Sequence, residues 1–374
     1  MLIIFTSHAP KNFWGDWIPG RFGFSDATEM FVFCSGMASA IAFGTSYDRR
    51  GWVLGTARVL YRCWQVYWAH ISLFFAILFM VVTLDRIGFD KSYVDSLALG
   101  FFLNNAEKGV FGLLTLTYVP NYFDILPMYI VVLLMMPLVM WLSSIRLSLV
   151  FVFMFVVWFL AQAKILTALG FDDAGLSLPG SFINDRKWFF NPFGWQLIFF
   201  TGFALMRGWI PKPPVNAYLI ALATLVTLGF MTLSHVAFRE WGFDWALRWR
   251  IANVMWIHKS NFGLLRFVQF MVLAYLAYAL AGDGGRRLLF EGRTLLGKVA
   301  KLIVTLLTKV GQQSLAVFIV SMILSRFVGF VLDQVGNGHV AVALCNVLGW
   351  AFLVLIAYSV SWFKGQPWRR SATG

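Results

Sequence analysis

Asp26-Ala-Thr-Glu-Met-Phe-Val-Phe-Cys-Ser-Gly-Met-Ala-Ser-Ala-Ile-Ala-Phe-Gly-Thr-Ser46 is the stretch that decides the fold class. Past its two acids it carries no charge for roughly 18 residues, the length an α-helix needs to cross about 30 Å of hydrocarbon. Runs of this kind recur as far as Trp362. Only 13% of the 374 residues are charged and 60% are hydrophobic, with a mean hydropathy of +0.74. A soluble domain is about 25% charged because its surface must be wetted. The fold class is therefore an all-α membrane protein, a polytopic bundle of about ten transmembrane helices. The expected spans are a partial Met1–Ala9, then Asp26–Ser46, Arg58–Leu84, Asp124–Ser143, Leu149–Thr167, Phe193–Gly208, Ala217–His235, Gly263–Ala281, Leu302–Leu332 and Val340–Phe363. The first is too short to span, and the ninth is long enough to tilt or to begin with an interfacial helix.

The net charge of +13 is spread over short loops rather than gathered in a basic domain. That excludes nucleic acid and leaves membrane lipid, with an anionic ligand, as what the charge meets. One set of loops holds Arg49, Arg50, Arg58, Arg62, Arg146, Arg207, Lys212, Arg286, Arg287, Arg293, Lys298, Lys301, Lys309, Lys364, Arg369 and Arg370. These face only Asp48, Asp283 and Glu291, so this side is strongly basic and the other is near neutral. By the positive-inside rule the basic face is cytoplasmic, which puts the C-terminus in the cytoplasm. Three cysteines, Cys34, Cys63 and Cys345, are scattered through the apolar runs; they form no metal-like spacing and read as packed thiols.

Three extracytoplasmic segments, 85–123, 168–192 and 236–262, are longer than a plain connection needs. The third contains Phe238-Arg-Glu-Trp-Gly-Phe-Asp-Trp-Ala-Leu-Arg-Trp-Arg250. There Trp241 and Trp245 suit stacking on sugar rings, or equally the anchoring of an interfacial helix. His258 and Lys259 follow, within reach of a substrate or simply solvated. Asn121-Tyr-Phe-Asp124 places an amide and an acid at the start of a span, where Asp124 also suits a helix cap.

Ionisable groups at membrane depth are costly and read by default as functional. His8 ends the first apolar stretch, and Asp26 and Glu29 share one helix face three residues apart. A carboxylate on one imidazole nitrogen would leave the other as a general base. The same two acids fit a helix N-cap and its capping box, and both readings can hold together. Arg58 and Arg62, i and i+4 on one face, join Arg49 and Arg50 in an arrangement suited to phosphate; positive-inside topology alone also produces such clusters. No Gly-x-Ser-x-Gly elbow, Walker loop or His-Glu-x-x-His pair is present, so no metal is expected and direct transfer is favoured over a covalent serine intermediate.

Phe22-Gly-Phe-Ser-Asp-Ala-Thr-Glu-Met-Phe-Val-Phe-Cys-Ser-Gly36, with His8-Ala-Pro10 upstream and Gly311-Gln-Gln-Ser-Leu-Ala-Val-Phe318 late in the chain, resembles the OpgC family of transmembrane acyltransferases. The resemblance implies O-succinylation of periplasmic glucans in the bacterial inner membrane. Succinyl-CoA is the implied donor substrate, with no tightly bound cofactor. It implies His8 as catalytic base, Asp26 and Glu29 as supporting carboxylates, and Arg49, Arg50, Arg58 and Arg62 as the binding site for the CoA phosphates. Asn121, Asp124, Trp241, Trp245 and His258 are the candidate acceptor contacts. Residues 1–370 are expected to form one transmembrane acyltransferase domain, with 371–374 a foreign remnant. The wider group carries an Arg eleven positions before its catalytic His; that position would precede Met1, so a missing N-terminal stretch is expected. The competing reading is a transporter or flippase for a glycan, lipid or anion, which predicts inverted repeats; none is visible in the sequence.

Overall fold

The structure is a computed structural model that describes residues 1–88, 91–171, 175–181, 185–290, 292 and 294–369. Glu291, Arg293, Arg370 and the expected 371–374 remnant lie outside the described residues. Helix dominates, and among the described residues the one isolated pairing of extended backbone is the bridge between Pro179 and Lys187. Among the described residues five helical stretches are long and apolar enough to cross a membrane: Ala27–Ile87, Ile125–Ile145, Leu264–Ala281, Ser314–Val335 and His339–Lys364.

Five, where about ten are expected from the sequence, has physical causes. The 61-residue stretch Ala27–Ile87 is broken at Gly51, whose φ of 76° and ψ of 178° lie outside helical space; glycine takes that conformation without a Cβ penalty. It carries two of the expected spans, Asp26–Ser46 and Arg58–Leu84. Three further apolar helices, Leu147–Leu160, Pro192–Met206 and Ala217–Thr232, have 14, 15 and 16 residues. At about 1.5 Å per residue they rise only ~21–24 Å, short of the hydrocarbon thickness. Leu2–His8 is a single short helix of 7 residues.

Three boundaries are corrected. The expected span Leu302–Leu332 is two helices, Leu295–Gln312 and Ser314–Val335, separated at Gln313 (φ −109°, ψ 33°). The first of them gathers Lys298, Lys301, Thr305 and Thr308 on one face, as an amphipathic interfacial helix does. Leu149–Thr167 stops at Leu160, and a separate turn runs Ala163–Ala168. Ala217–His235 ends at Thr232; Ser234 then caps a new short helix, His235–Arg239, by accepting from the Ala237 N–H.

The chain divides into two compact units. One comprises Met1–Phe22, Val215–Leu228 and Val272–Gly374; the other comprises Gly23–Pro214 and Gly229–Met271. In the first, Leu2–His8 packs on Ser314–Val335 and His339–Lys364. A polar knot fastens it: Asn12 and Asn346 exchange side-chain amide bonds of 3.0 Å each. Thr6 donates to Asn346 Oδ1 at 3.1 Å, and the Trp350 indole donates to Thr6 at 3.2 Å. In apolar surroundings each partner satisfies a group that would otherwise be costly to bury.

In the second unit the Ala27–Ser39 and Pro192–Met206 helices make the most extensive pairing. They approach on glycines: a Cβ on Gly36 would lie 1.9 Å from the Phe199 carbonyl oxygen, and one on Gly202 would lie 2.4 Å from that of Phe33. Small residues let membrane helices pack backbone to backbone, where dispersion rather than water expulsion holds them. Gly36→Ala is therefore expected to cost at least about 1–3 kcal/mol, the range for overpacked sites, because the atom it strikes is backbone and cannot swing away. Gly229→Ala, which meets nothing within 4 Å, is the control. Thermal unfolding of the purified protein in detergent should separate the two, and equal melting temperatures would contradict this crossing.

Candidate functional site

The start of the Ala27–Ser39 helix is built as a capping box. Asp26 Oδ1 accepts from the Thr28 N–H at 2.8 Å, and Glu29 Oε2 accepts from the Asp26 N–H at 2.8 Å. The capping reading of these acids is thus observed, and it fixes both carboxylates in place. Two cations complete the arrangement. Lys259 Nζ donates to Asp26 Oδ2 at 2.5 Å. Arg266 donates through Nε to Glu29 Oε1 at 2.8 Å, and its Nη2 bonds the same oxygen; Nη2 also lies 3.9 Å from Asp26. Glu29 is wholly buried and Arg266 is 6% exposed.

The segment leading into the helix is held as firmly. Gln269 Oε1 accepts from the backbone N–H groups of Phe24 and Ser25. The Phe24 ring stacks on Trp249 at 6.2 Å, meets Phe230 edge-on at 5.5 Å and lies 5.2 Å from the Arg250 guanidinium. Part of the aromatic and basic 238–250 segment therefore serves to clamp the helix start. Trp241 and Trp245 flank Phe243, at 5.9 and 6.0 Å, and remain 44% and 47% exposed.

Lys259 is delivered by a tight turn. Phe262 sits in the left-handed region at φ 56°, and a Cβ on Gly263 would lie 2.4 Å from the Trp256 carbonyl oxygen. The turn's carbonyls are anchored from outside: Trp195 Nε1 donates to Lys259 O at 3.0 Å, Gln162 Nε2 to Asn261 O at 2.7 Å, and the Asn191 N–H to Ser260 O at 2.9 Å. Strain held by surrounding bonds in this way is typical of functional positions.

Residues of the same turn line a cavity of about 330 Å³, whose walls include Asn121, Arg186, Lys187, Trp188, His258 and Asn261. Two expected acceptor contacts, Asn121 and His258, thus share one cavity. Asp124 is not among the lining residues; it is buried, with Arg186 Nη2 3.9 Å from its carboxylate. Trp241 and Trp245 are not among the lining residues; the aromatic walls are Trp188 and Phe189. Burial, with Lys164 and Arg266 adding to it, lowers the pKa of His258 below the ordinary imidazole value.

The arginines expected to meet phosphate sit on either side of the Gly51 break. Arg49 and Arg50 are exposed; Arg58 donates to Ser46 Oγ at 2.5 Å and Arg62 to Gln65 Oε1 at 3.1 Å. Next to them, Asp48 takes a two-pronged bond from Arg207 at 2.6 and 2.9 Å, joining two segments that the charge pattern assigns to one side. His8, in the other unit, ends the Leu2–His8 helix with Nδ1 2.9 Å from Ile4 O and 3.2 Å from Ser7 Oγ.

Arg266 was not among the expected site residues. The signal that marks it is an arginine in the first turn of an otherwise uncharged 18-residue helix, Leu264–Ala281, a position costly enough to require a partner. No curated protein and no solved structure matches this chain. The model of the family described as OpgC protein matches residues 1–365, as the motifs at Asp26 and Gly311 imply, and the chain belongs to the OpgC family.

Proposed function

We propose that this protein is a membrane O-acyltransferase that moves a succinyl group from cytoplasmic succinyl-CoA to hydroxyls of periplasmic glucans. Membership of the OpgC family along essentially the whole chain is the observation that carries the reading, and it supports an acyltransferase-like role on glucans. The donor, the acyl group and the residue roles are the finer part of the proposal. CoA phosphates dock on Arg49, Arg50, Arg58 and Arg62, charges that guanidinium groups suit by paired donors. His8 takes the proton from a glucan hydroxyl as that oxygen attacks the thioester carbonyl; the carbon–sulfur bond breaks, giving the succinyl ester and coenzyme A. Asp26 and Glu29 act as supporting carboxylates. The basic face supports a cytoplasmic C-terminus, and membership of the family supports the bacterial inner membrane as the location.

Two measurements test this. Purified protein should bind coenzyme A, and the double change Arg49→Ala with Arg58→Ala should weaken that binding at least tenfold, each charge-assisted bond being worth about 1.5–3 kcal/mol at best. Mass spectrometry of periplasmic glucans from cells with and without the protein should differ by the succinyl increment. Identical glucan masses would overturn the succinyl-transfer assignment, and absence of coenzyme A binding would overturn the donor.

A further inference from the structure

The helix Leu295–Gln312 sorts its side chains by the 3.6-residue period onto two faces, Lys298, Lys301, Thr305 and Lys309 on one and Leu295, Val299, Leu302 and Ile303 on the other. The apolar face is not a core face. Leu295 and Leu296 are 80% and 81% exposed, and Val299, Leu302, Ile303 and Leu307 are exposed as well. Only the C-terminal end is packed. There Val310 joins the core cluster that holds Val317, Leu353 and Ala357. Lys309 Nζ donates to Ser361 Oγ at 2.6 Å and lies 5.4 Å from the Tyr358 ring centroid, and Lys364 Nζ donates to Gln313 Oε1 at 2.7 Å. One end of the helix is thus tied to the last span, while its first turns leave an uncovered apolar face beside Lys298 and Lys301. Both lysines are exposed, and among the described residues neither forms an ion pair.

Two costs fix where such a helix rests. Lysines held at the middle of a bilayer are unfavourable, so it is not a span. A contiguous apolar face left in water is unfavourable too. Both are relieved when the helix lies along the bilayer surface, leucines among the acyl chains and lysines at the headgroups. Charge then selects the lipid. The helix belongs to the segments that the charge pattern gathers on the basic face, and its two free ammonium groups seek uncompensated phosphate. A zwitterionic headgroup carries its own cation beside the phosphate; an anionic one does not. We infer that Leu295–Gln312 is a binding surface for anionic phospholipid, with Lys298 and Lys301 at the headgroup phosphates and Leu295, Leu296 and Leu302 among the acyl chains. The assignment is independent of the acyl-transfer reading and of the arginines proposed to meet coenzyme A.

The test uses the full-length protein in nanodiscs of phosphatidylcholine alone or with one third phosphatidylglycerol, and reads amide hydrogen exchange across residues 294–312. Exchange there is expected to slow about 25-fold in the anionic discs, from about fivefold for each of two lysines near such a surface. Lys298→Gln combined with Lys301→Gln should abolish most of that slowing, whereas Lys298→Arg with Lys301→Arg should keep it. Unchanged exchange across Ser314–Val335 shows that the variants are folded. Should the glutamine variant fail to fold, the wild type decides: screening at about 0.5 M salt should collapse the slowing, and slowing that persists there overturns the proposal. Equal wild-type exchange in the two kinds of disc overturns it as well. Lipid-dependent slowing retained by the folded glutamine variant removes the two lysines from the site and overturns the assignment. Protection that appears in either lipid, and only in discs holding two copies of the protein, overturns it in favour of a contact between copies.

Discussion

Arg266→Leu is expected to destabilise the protein by about 3–5 kcal/mol, the cost of leaving one member of a buried ion pair without its partner. Glu29 is wholly buried. Of its two carboxylate oxygens, one accepts from the Asp26 N–H and the other from the Arg266 guanidinium. Leucine would leave the second oxygen with no donor in a low-dielectric setting, and Lys259, bonded to Asp26, is already engaged. Arg266→Lys should fall between, since an ammonium keeps the charge but loses the forked geometry that engages Glu29 through two nitrogens. A companion change gives the result its meaning. Glu29→Gln placed in the Arg266→Leu background should recover much of the loss, because the uncompensated charge is gone. Thermal unfolding in detergent or nanodiscs reads all three, and an Arg266→Leu protein as stable as wild type would remove this pair from the account of the helix start.

That pair also marks where the sequence stops being readable. Helical membrane character is plain from Asp26–Ser46 onward, because a run of apolar residues of span length states its own environment. The capping box is legible too, since Asp26 and Glu29 stand at the spacing the motif requires, and the structure builds it. Arg266 lies 237 residues from Glu29, and no local pattern announces a contact across that distance. The helix break at Gly51 falls in the charged stretch that separates two expected spans, whereas the break at Gln313 is hidden from hydropathy for a different reason: averaging over a span-length window smooths a one-residue change of dihedral angle into a continuous apolar run. The cavity suffers from both difficulties. Asn121 and His258 were legible as polar residues in long loops, yet Trp188, which also lines the cavity, looks in sequence like any interfacial tryptophan. Only the approach of three distant segments separates it from Trp241 and Trp245, which the composition of 238–250 made conspicuous and which stand outside the cavity lining.

His8→Ala is expected to lower succinyl transfer by about 10²–10⁴-fold, the usual worth of a positioned general base, with succinyl-CoA binding unchanged. The local geometry fixes which ring nitrogen carries the proton. Nδ1 lies 2.9 Å from Ile4 O, an oxygen that can only accept, so the neutral ring carries its proton on Nδ1, and Nε2 is the nitrogen that would take the proton in the proposed step. The helix that bears His8 is itself pinned by the Thr6–Asn346–Asn12 bonds and by the fit of Pro10 against Gly329, where a Cβ would come within 2.4 Å of the proline ring. A seven-residue helix has too few internal bonds to be stable alone, so this packing sets the position of the imidazole. Two controls separate chemistry from structure. His8→Gln preserves size and a hydrogen-bonding group but cannot accept a proton at neutral pH; it should be as inactive as His8→Ala while melting at the wild-type temperature. Asn346→Leu leaves the imidazole intact but unfastens its support, so it should lower stability as well as activity. Transfer by His8→Gln at the wild-type rate would exclude His8 as the base and return the search to the other ionisable groups at membrane depth.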